Sequence, residues 1–493
     1  MKSLIKRYFF LNPAIFCFLI SLYACIGKKE KEINPQTYPN IILILADDQG
    51  WGSTSVKMDK NISESASDFI RTPNLEKLSK KGVVFSNAYA AHPNCSPTRA
   101  SILTGKSPAQ LQMTDIINRH DGVFFEGNKL NPPAHIKGLP EKEITLAELI
   151  KLSLPFYQTA YFGKWHLAAG GPESHGFDDS DGETTNLEGN QKMKDNPKDI
   201  FGITSRALTW MNTQVKAETP FFMQISHYAM HLAIESKQET HDRVKKYSPG
   251  KRHYTSDLAA MSEDLDTGVG LVLNEIEKLG IENNTYIIYL SDNGTFPTKN
   301  SSNINGPIHG WKATLWEGGL KVPFIIYGPG IKPGYNSTNV SSNDILPTIC
   351  DWLKIESLPQ NIDGGSLAPI LMNKTSTVSR ENDFMLFYFP HYQHQKGTHP
   401  GVAIIRGDYK LIKYYEEDTK LLFNLKEDIS EIKNLASVYP EKVIELEEQI
   451  NNYFLIHNIK LPSLNNEYIV EKDEGLNYKE VKRRLMSEAY FIP

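Results

Sequence analysis

Short, unbroken apolar runs recur along the chain, separated by longer stretches in which apolar residues return every three or four positions. Residues 40–46 read Asn-Ile-Ile-Leu-Ile-Leu-Ala, apolar after the first position. Such a run fits a strand covered on both faces, because a half-exposed strand alternates between apolar and polar. Residues 286–290 and 322–327 repeat the pattern, and 221–226 is another strand candidate. The periodicity between them predicts helices over 73–81, 145–152, 204–215 and 254–279. The first has Thr72 as its expected cap and Pro73 at the first helical position, where a missing N–H costs nothing. Strands alternating with helices predict an α/β fold, a central mostly parallel sheet flanked by helices. In such sheets ligands gather at the carboxyl ends of the strands.

Near residue 380 the pattern changes. Residues 385–389, 402–406, 409–414 and 421–424 read as short strands joined by turns such as Gly407-Asp408, and a helix is predicted over 440–454. The expected organisation is a main domain over 38–380 and a smaller C-terminal domain over 381–493, carrying an antiparallel sheet and a helix.

The beginning of the chain follows a different logic. Lys2, Lys6 and Arg7 precede an apolar run over 8–24, the charged-then-apolar layout of an export signal. Asn12 and Pro13 interrupt the run, which is short for a membrane span. It ends in Leu22-Tyr23-Ala24-Cys25, which resembles the bacterial lipoprotein box, in which the cysteine is lipidated. Tyr23 is unusual inside that box, and plain cleavage is the alternative. Residues 1–24 are thus expected to be a signal peptide and 25–37 a polar tether. The expected location is outside the cytoplasm, periplasmic or at the cell surface, with a lipid on Cys25 anchoring the protein to the bacterial outer membrane.

Composition changes this picture little. The 493 residues carry a formal net charge of −5, without the basic excess a nucleic-acid partner would call for. Of four cysteines, Cys17 and Cys25 lie in the leader, and Cys350 sits in an apolar helical pattern as an expected buried hydrophobe. Cys95 remains, so no disulfide pair is expected in the exported chain.

Cys95 opens the strongest motif: Cys95-Ser96-Pro97-Thr98-Arg99, continued by Ala100-Ser101-Ile102-Leu103-Thr104-Gly105. The segment resembles the type I sulfatase motif, Cys-x-Pro-Ser/Thr-Arg followed by Leu-Thr-Gly, which directs oxidation of the cysteine to formylglycine. This implies a formylglycine-dependent sulfatase of the bacterial polysaccharide-degrading type, on an alkaline-phosphatase-like fold. A hydrated aldehyde carries two hydroxyls on one carbon: one attacks sulfur and the other later expels sulfate. Arg99 stands one helical turn from Cys95, where its charge can hold the nucleophile and its oxyanions.

The resemblance also implies a divalent metal held by oxygen side chains, for which the chain offers Asp47, Asp48, Asp292 and Asn293 together with residue 95. Either pair alone would read as a turn or helix cap. Oxygen ligands suit a hard cation, and Ca2+ tolerates such crowding better than Mg2+. Lys164 and His166 in Gly-Lys-Trp-His, two apart on an expected extended segment, face one side. His231 matches the family's sulfate-binding histidine, with His227 a structural neighbour, and Lys312 its second active-site lysine.

The implied mechanism uses Lys164, Lys312, His231 and Arg99 to neutralise the sulfate oxygens, with Asp292 helping to activate the nucleophile. His231, with or without Lys312, protonates the leaving alcohol, and His166 assists sulfate elimination. The implied partners are a sulfated carbohydrate substrate and a formylglycine-generating maturation enzyme. The alternatives are a phosphoester or phosphonate hydrolase on the same fold, and a surface glycan-binding lipoprotein without catalysis. His391, His394 and His399 are too loosely spaced for a transition-metal site and suggest a substrate-binding loop instead.

Overall fold

The computed structural model describes residues 34–117, 126–191, 193–296, 305–393 and 397–473. The expected signal peptide, the Cys25 lipid site, the tether up to residue 33 and His394 lie outside the described residues. Among the described residues no helix is long and apolar enough to cross a membrane.

The main sheet has eight strands: β1 (Asn40–Ala46), β2 (Val83–Phe85), β3 (Gln158–Gly163), β4 (Asp179–Ser180), β5 (Phe221–Ser226), β6 (Thr285–Ser291), β7 (Phe324–Tyr327) and β8 (Gly334–Asn336). Their order is β8-β2-β7-β6-β1-β5-β3-β4. Only β7 runs against its neighbours, pairing antiparallel with both β2 and β6. The expected α/β sheet is therefore present and mostly parallel.

β1 shows why its sequence carries no polar interior position. All seven residues are buried. Ile41, Leu43 and Leu45 enter one apolar core, while Ile42, Ile44 and Ala46 enter the other. The first core is closed by helices α2 (Cys95–Thr104), α3 (Leu146–Ser153) and α6 (Ile345–Trp352). The second is closed by α1 (Pro73–Lys81), α4 (Ile200–Lys216) and α5 (Ser256–Leu279). Cys350 is buried in the first core, as its apolar surroundings suggest.

Thr72 does not cap α1 as expected. Its hydroxyl accepts from the Ser55 N–H at 2.9 Å, and the exposed helix donors go elsewhere. Asp266 takes them: its carboxylate accepts from the N–H groups of Asn74 at 3.0 Å and Leu75 at 2.9 Å. A buried anion at a helix N-terminus also meets the helix dipole favourably.

The smaller domain holds strands β9 (Met385–Phe389), β10 (Gly401–Arg406), β11 (Tyr409–Tyr414) and β12 (Thr419–Asn424) in one antiparallel sheet. One face packs on α7 (Pro440–Ile456) through Val443, Leu446 and Ile450. The other packs on Ala313, Leu315 and Leu320 of the main domain. Both faces are therefore covered, and the second abuts the segment that carries Lys312.

Candidate active site

Four parallel strands bring their carboxyl ends together. β1 is followed by Asp47 and Asp48, β6 by Asp292 and Asn293, β3 by Lys164, and β5 by the stretch leading to His231. The register aligns Ala46 with Ser291 and Gly163 with Ser226, so the functional residues emerge at one level. The Asp292 N–H donates to Ala46 O at 3.1 Å, the Asp47 N–H to Ala229 O at 2.9 Å and the Lys164 N–H to Ser226 O at 2.8 Å. α2 begins at Cys95, so its first turn delivers the cysteine and Arg99 together, both buried.

The side chains interlock. Arg99 donates through Nε and Nη2 to Asp292 Oδ2 at 2.9 and 2.7 Å, and through Nη1 to Lys164 O at 2.6 Å. Lys164 Nζ meets Asp47 Oδ2 at 2.5 Å, and Lys312 Nζ meets Asp48 Oδ1 at 2.5 Å. Asn293 Nδ2 donates to the same Asp48 oxygen at 2.6 Å. Cys95 Sγ lies 3.4 Å from His166 Nδ1, which also lies 3.2 Å from the Ser96 hydroxyl. His231 Nε2 stands 4.0 Å from Asp48 Oδ2.

Lys164 and His166 do converge, but not as alternate positions of an extended chain. His166 has a φ of +57°, so a turn aims its ring. Thr184 holds this turn: its hydroxyl donates to Gly163 O at 2.6 Å and accepts from the Trp165 N–H at 2.8 Å, while its backbone carbonyl accepts from the His166 N–H at 2.9 Å. Arg99 ties the Asp292 carboxylate to the Lys164 carbonyl.

Electrostatics follow from this packing. Burial pushes the Asp47 carboxyl up, but Lys164, His231, Arg99 and Lys312 together hold it well below the usual carboxylate range. Burial, reinforced by the Asp47 charge, raises Asp292 to about 6 despite Arg99. His166 is driven well below its ordinary value by burial and by the Lys164 charge. His231 falls to about 4 through burial and Lys312. Burial also raises the Cys95 thiol, opposing a thiolate even beside two lysines.

Donor atoms for a cation are present. Asp47, Cys95 and Asp292 offer ligand atoms within 4.8 Å of one another. Asp47 Oδ1 and Asn293 Oδ1 are buried without a hydrogen-bond partner. Two orphaned oxygens in a sealed acidic site fit a hard cation, since a lone buried acceptor otherwise costs about 1–3 kcal/mol. Asp48 stands beside this group, its Oδ1 engaged by Lys312 and Asn293.

Sequence reasoning missed Lys198. It is 1% exposed and bonds Asn190 Oδ1 at 2.9 Å, and burial lowers its ammonium while Glu235, Asp47 and Asp48 oppose that fall. A lysine in an Asn-Pro-Lys-Asp turn carries no local signal of this. Among the described residues, His391 and His399 do not gather as metal ligands: His391 meets the Thr114 hydroxyl at 2.8 Å, while His399 pairs with Glu416 at 2.5 Å.

Comparison with known proteins agrees with this constellation. The sulfatase family matches residues 39–355, and the C-terminal region described for N-sulphoglucosamine sulphohydrolase matches 308–455. A sulfatase of Formosa agariphila is 28% identical, covering 92% of this chain and 94% of that protein. An ulvan-active sulfatase of the same organism is 27% identical, covering 75% and 73%. The mouse (Mus musculus) N-acetylgalactosamine-6-sulfatase is 30% identical, covering 68% and 66%. The solved structure of Ps i-CgsB superimposes with a TM-score of 0.69 at 23% identity, covering 92% of this chain and 100% of that one. The family match spans most of the chain, including every acidic and basic residue placed around Cys95, and on that ground the protein belongs to the sulfatases and is a sulfuric ester hydrolase.

Proposed function

We propose that the protein removes sulfate from a sulfated carbohydrate, using a formylglycine made from Cys95 and a bound calcium ion. The observation that carries this reading is the buried Cys95 at a helix start, ringed by Asp47, Asp48 and Asp292 and by Arg99, Lys164 and Lys312. The three carboxylates and three fixed cations balance one another. A dication added to them leaves the site positive, matched to a sulfate ester anion. The carbohydrate class is supported by relatives named as ulvan-active and N-acetylgalactosamine-6-sulfatases.

Asp47, Asp48, Asp292, Asn293 and residue 95 would hold Ca2+, which when bound polarises the sulfate oxygens and favours attack at sulfur. Formylglycine supplies a hydrated aldehyde with two hydroxyls, one to attack and one to release sulfate. Burial raises the Cys95 thiol, which disfavours attack by a thiolate. Lys164 and Lys312 neutralise the sulfate oxygens, and Arg99 keeps Asp292 in place. His166, 3.4 Å from the residue 95 side-chain atom, moves its proton. His231, at the more open edge of the site, gives a proton to the leaving sugar oxygen.

A matched pair of esters tests this: the same sugar carrying sulfate or phosphate, assayed before and after chelation. Sulfate release should dominate, vanish with the chelator and return with added calcium. Faster phosphate release would make the protein a phosphohydrolase, and unchanged rates after chelation would remove the metal.

A further inference from the structure

We propose that the smaller domain sets the position of the Lys312 ammonium, with Thr398 and Lys410 as positioning residues for sulfate-ester hydrolysis. The inference rests on the reading of Lys312 as a sulfate-facing cation. The segment 309–321 of the main domain packs against the smaller one, and its backbone is tied on both sides. The Lys312 N–H donates to Thr295 O at 2.8 Å, two residues beyond Asn293. Next to it, Ala313 has a φ of +67°, a left-handed conformation that a residue with a Cβ adopts only when its surroundings impose it. Those surroundings are explicit. The Ala313 N–H donates to Pro93 O at 2.8 Å, two residues before Cys95, and its carbonyl accepts the hydroxyl of Thr398 from the smaller domain.

The other end of the segment is fixed by a sealed ion cluster. Glu317 lies between Lys410 Nζ at 3.0 Å, the Tyr89 hydroxyl at 2.9 Å and Lys321 Nζ at 3.4 Å. Glu431 accepts from the Glu317 N–H at 2.7 Å and pairs with Lys410 at 2.8 Å. All five side chains are at most 3% exposed. The backbone flanking these ties is in close contact: a Cβ on Gly318 would meet Gly310 O at 2.1 Å, and one on Gly294 would meet Gly318 O at 1.8 Å. A shift at Glu317 therefore passes to Lys312 and to the turn after Asn293.

Adhesion alone does not call for these charges. Ala313, Leu315 and Leu320 already pack on Met385, Phe387 and Ile405 across the seam. Buried ions are costly to desolvate, and apolar side chains would seal the seam as well. What directed bonds add is one defined geometry.

A kinetic double-mutant cycle decides the matter, using nitrophenyl sulfate and the calcium-loaded, matured enzyme. Thr398→Val keeps shape and removes only the hydroxyl, so it folds even where Lys410→Met does not. Each should lower kcat/KM about tenfold in the wild-type background, and by less than about twofold where Lys312 is already alanine. Equal losses in both backgrounds would overturn the proposal, because general loosening harms both alike. Wild-type rates in Thr398→Val and Lys410→Met, with Lys312→Ala impaired, would overturn the positioning role alone. A full rate in Lys312→Ala would remove Lys312 from the site and the proposal with it.

Discussion

His231 differs from its neighbours in exposure. Its side chain is 23% exposed, whereas those of Asp47, Lys164 and Asp292 are sealed. An edge position suits a group that meets the leaving alcohol. In the free site burial and Lys312 keep the ring neutral at pH 7, and an arriving sulfate anion beside it favours the protonated form. A sugar alkoxide leaves poorly without a proton, while a nitrophenolate does not need one. His231→Ala should therefore lose more kcat/KM on a sulfated sugar than on an aryl sulfate, by a further factor on the order of 10²–10⁴. Equal losses on the two substrates would make His231 a sulfate-binding residue and move the acid role to Lys312. Residues such as Asp47, Cys95 and Lys312 were legible because short motifs carry them. Lys198, Thr184 and Thr398 were not, because only tertiary packing brings them to the site and no local pattern marks them.

At the scale of elements, apolar runs marked the strands at 40–46 and 221–226 to the residue. The same rule passed over Gln158–Gly163, an interior strand of the main sheet. Its sequence mixes Gln, Thr and Gly with aromatics, and Thr159 is satisfied by hydrogen bonds to Gly176 O and Asp178 rather than by apolar contact. The seam between the sheets was equally hidden, since its ions come from separated stretches of chain. Burial pushes Glu431 from its ordinary 4.5 to about 7, with the Glu317 charge adding to the rise and Lys410 opposing it. A folded pKa above the unfolded one means that the native state binds the proton more tightly. Its stabilising contribution is full below about pH 4.5 and is lost as pH rises through 7. Glu431→Gln, which cannot ionise, should therefore gain thermal stability relative to wild type as pH rises from 5 to 8. A difference in Tm that stays flat, or falls, across that range would show that Glu431 is ionised throughout.

For the molecule as a whole, alternating strands and helices foresaw a mostly parallel sheet, and the change of pattern near residue 380 a second, antiparallel one. They did not foresee that the second sheet would be covered on both faces, one of them by the Lys312 segment. On the proposed formylglycine reading, the chemistry depends on one atom of the entire assembly, the side-chain carbon of residue 95. The most direct measurement prepares the protein with graded maturation, determines by peptide mass spectrometry the fraction of residue 95 present as aldehyde, and records sulfate release from one sulfated sugar. Activity should rise in proportion to that fraction and extrapolate to zero for the pure thiol. Substantial sulfate release by protein whose Cys95 is wholly unmodified would contradict a formylglycine nucleophile.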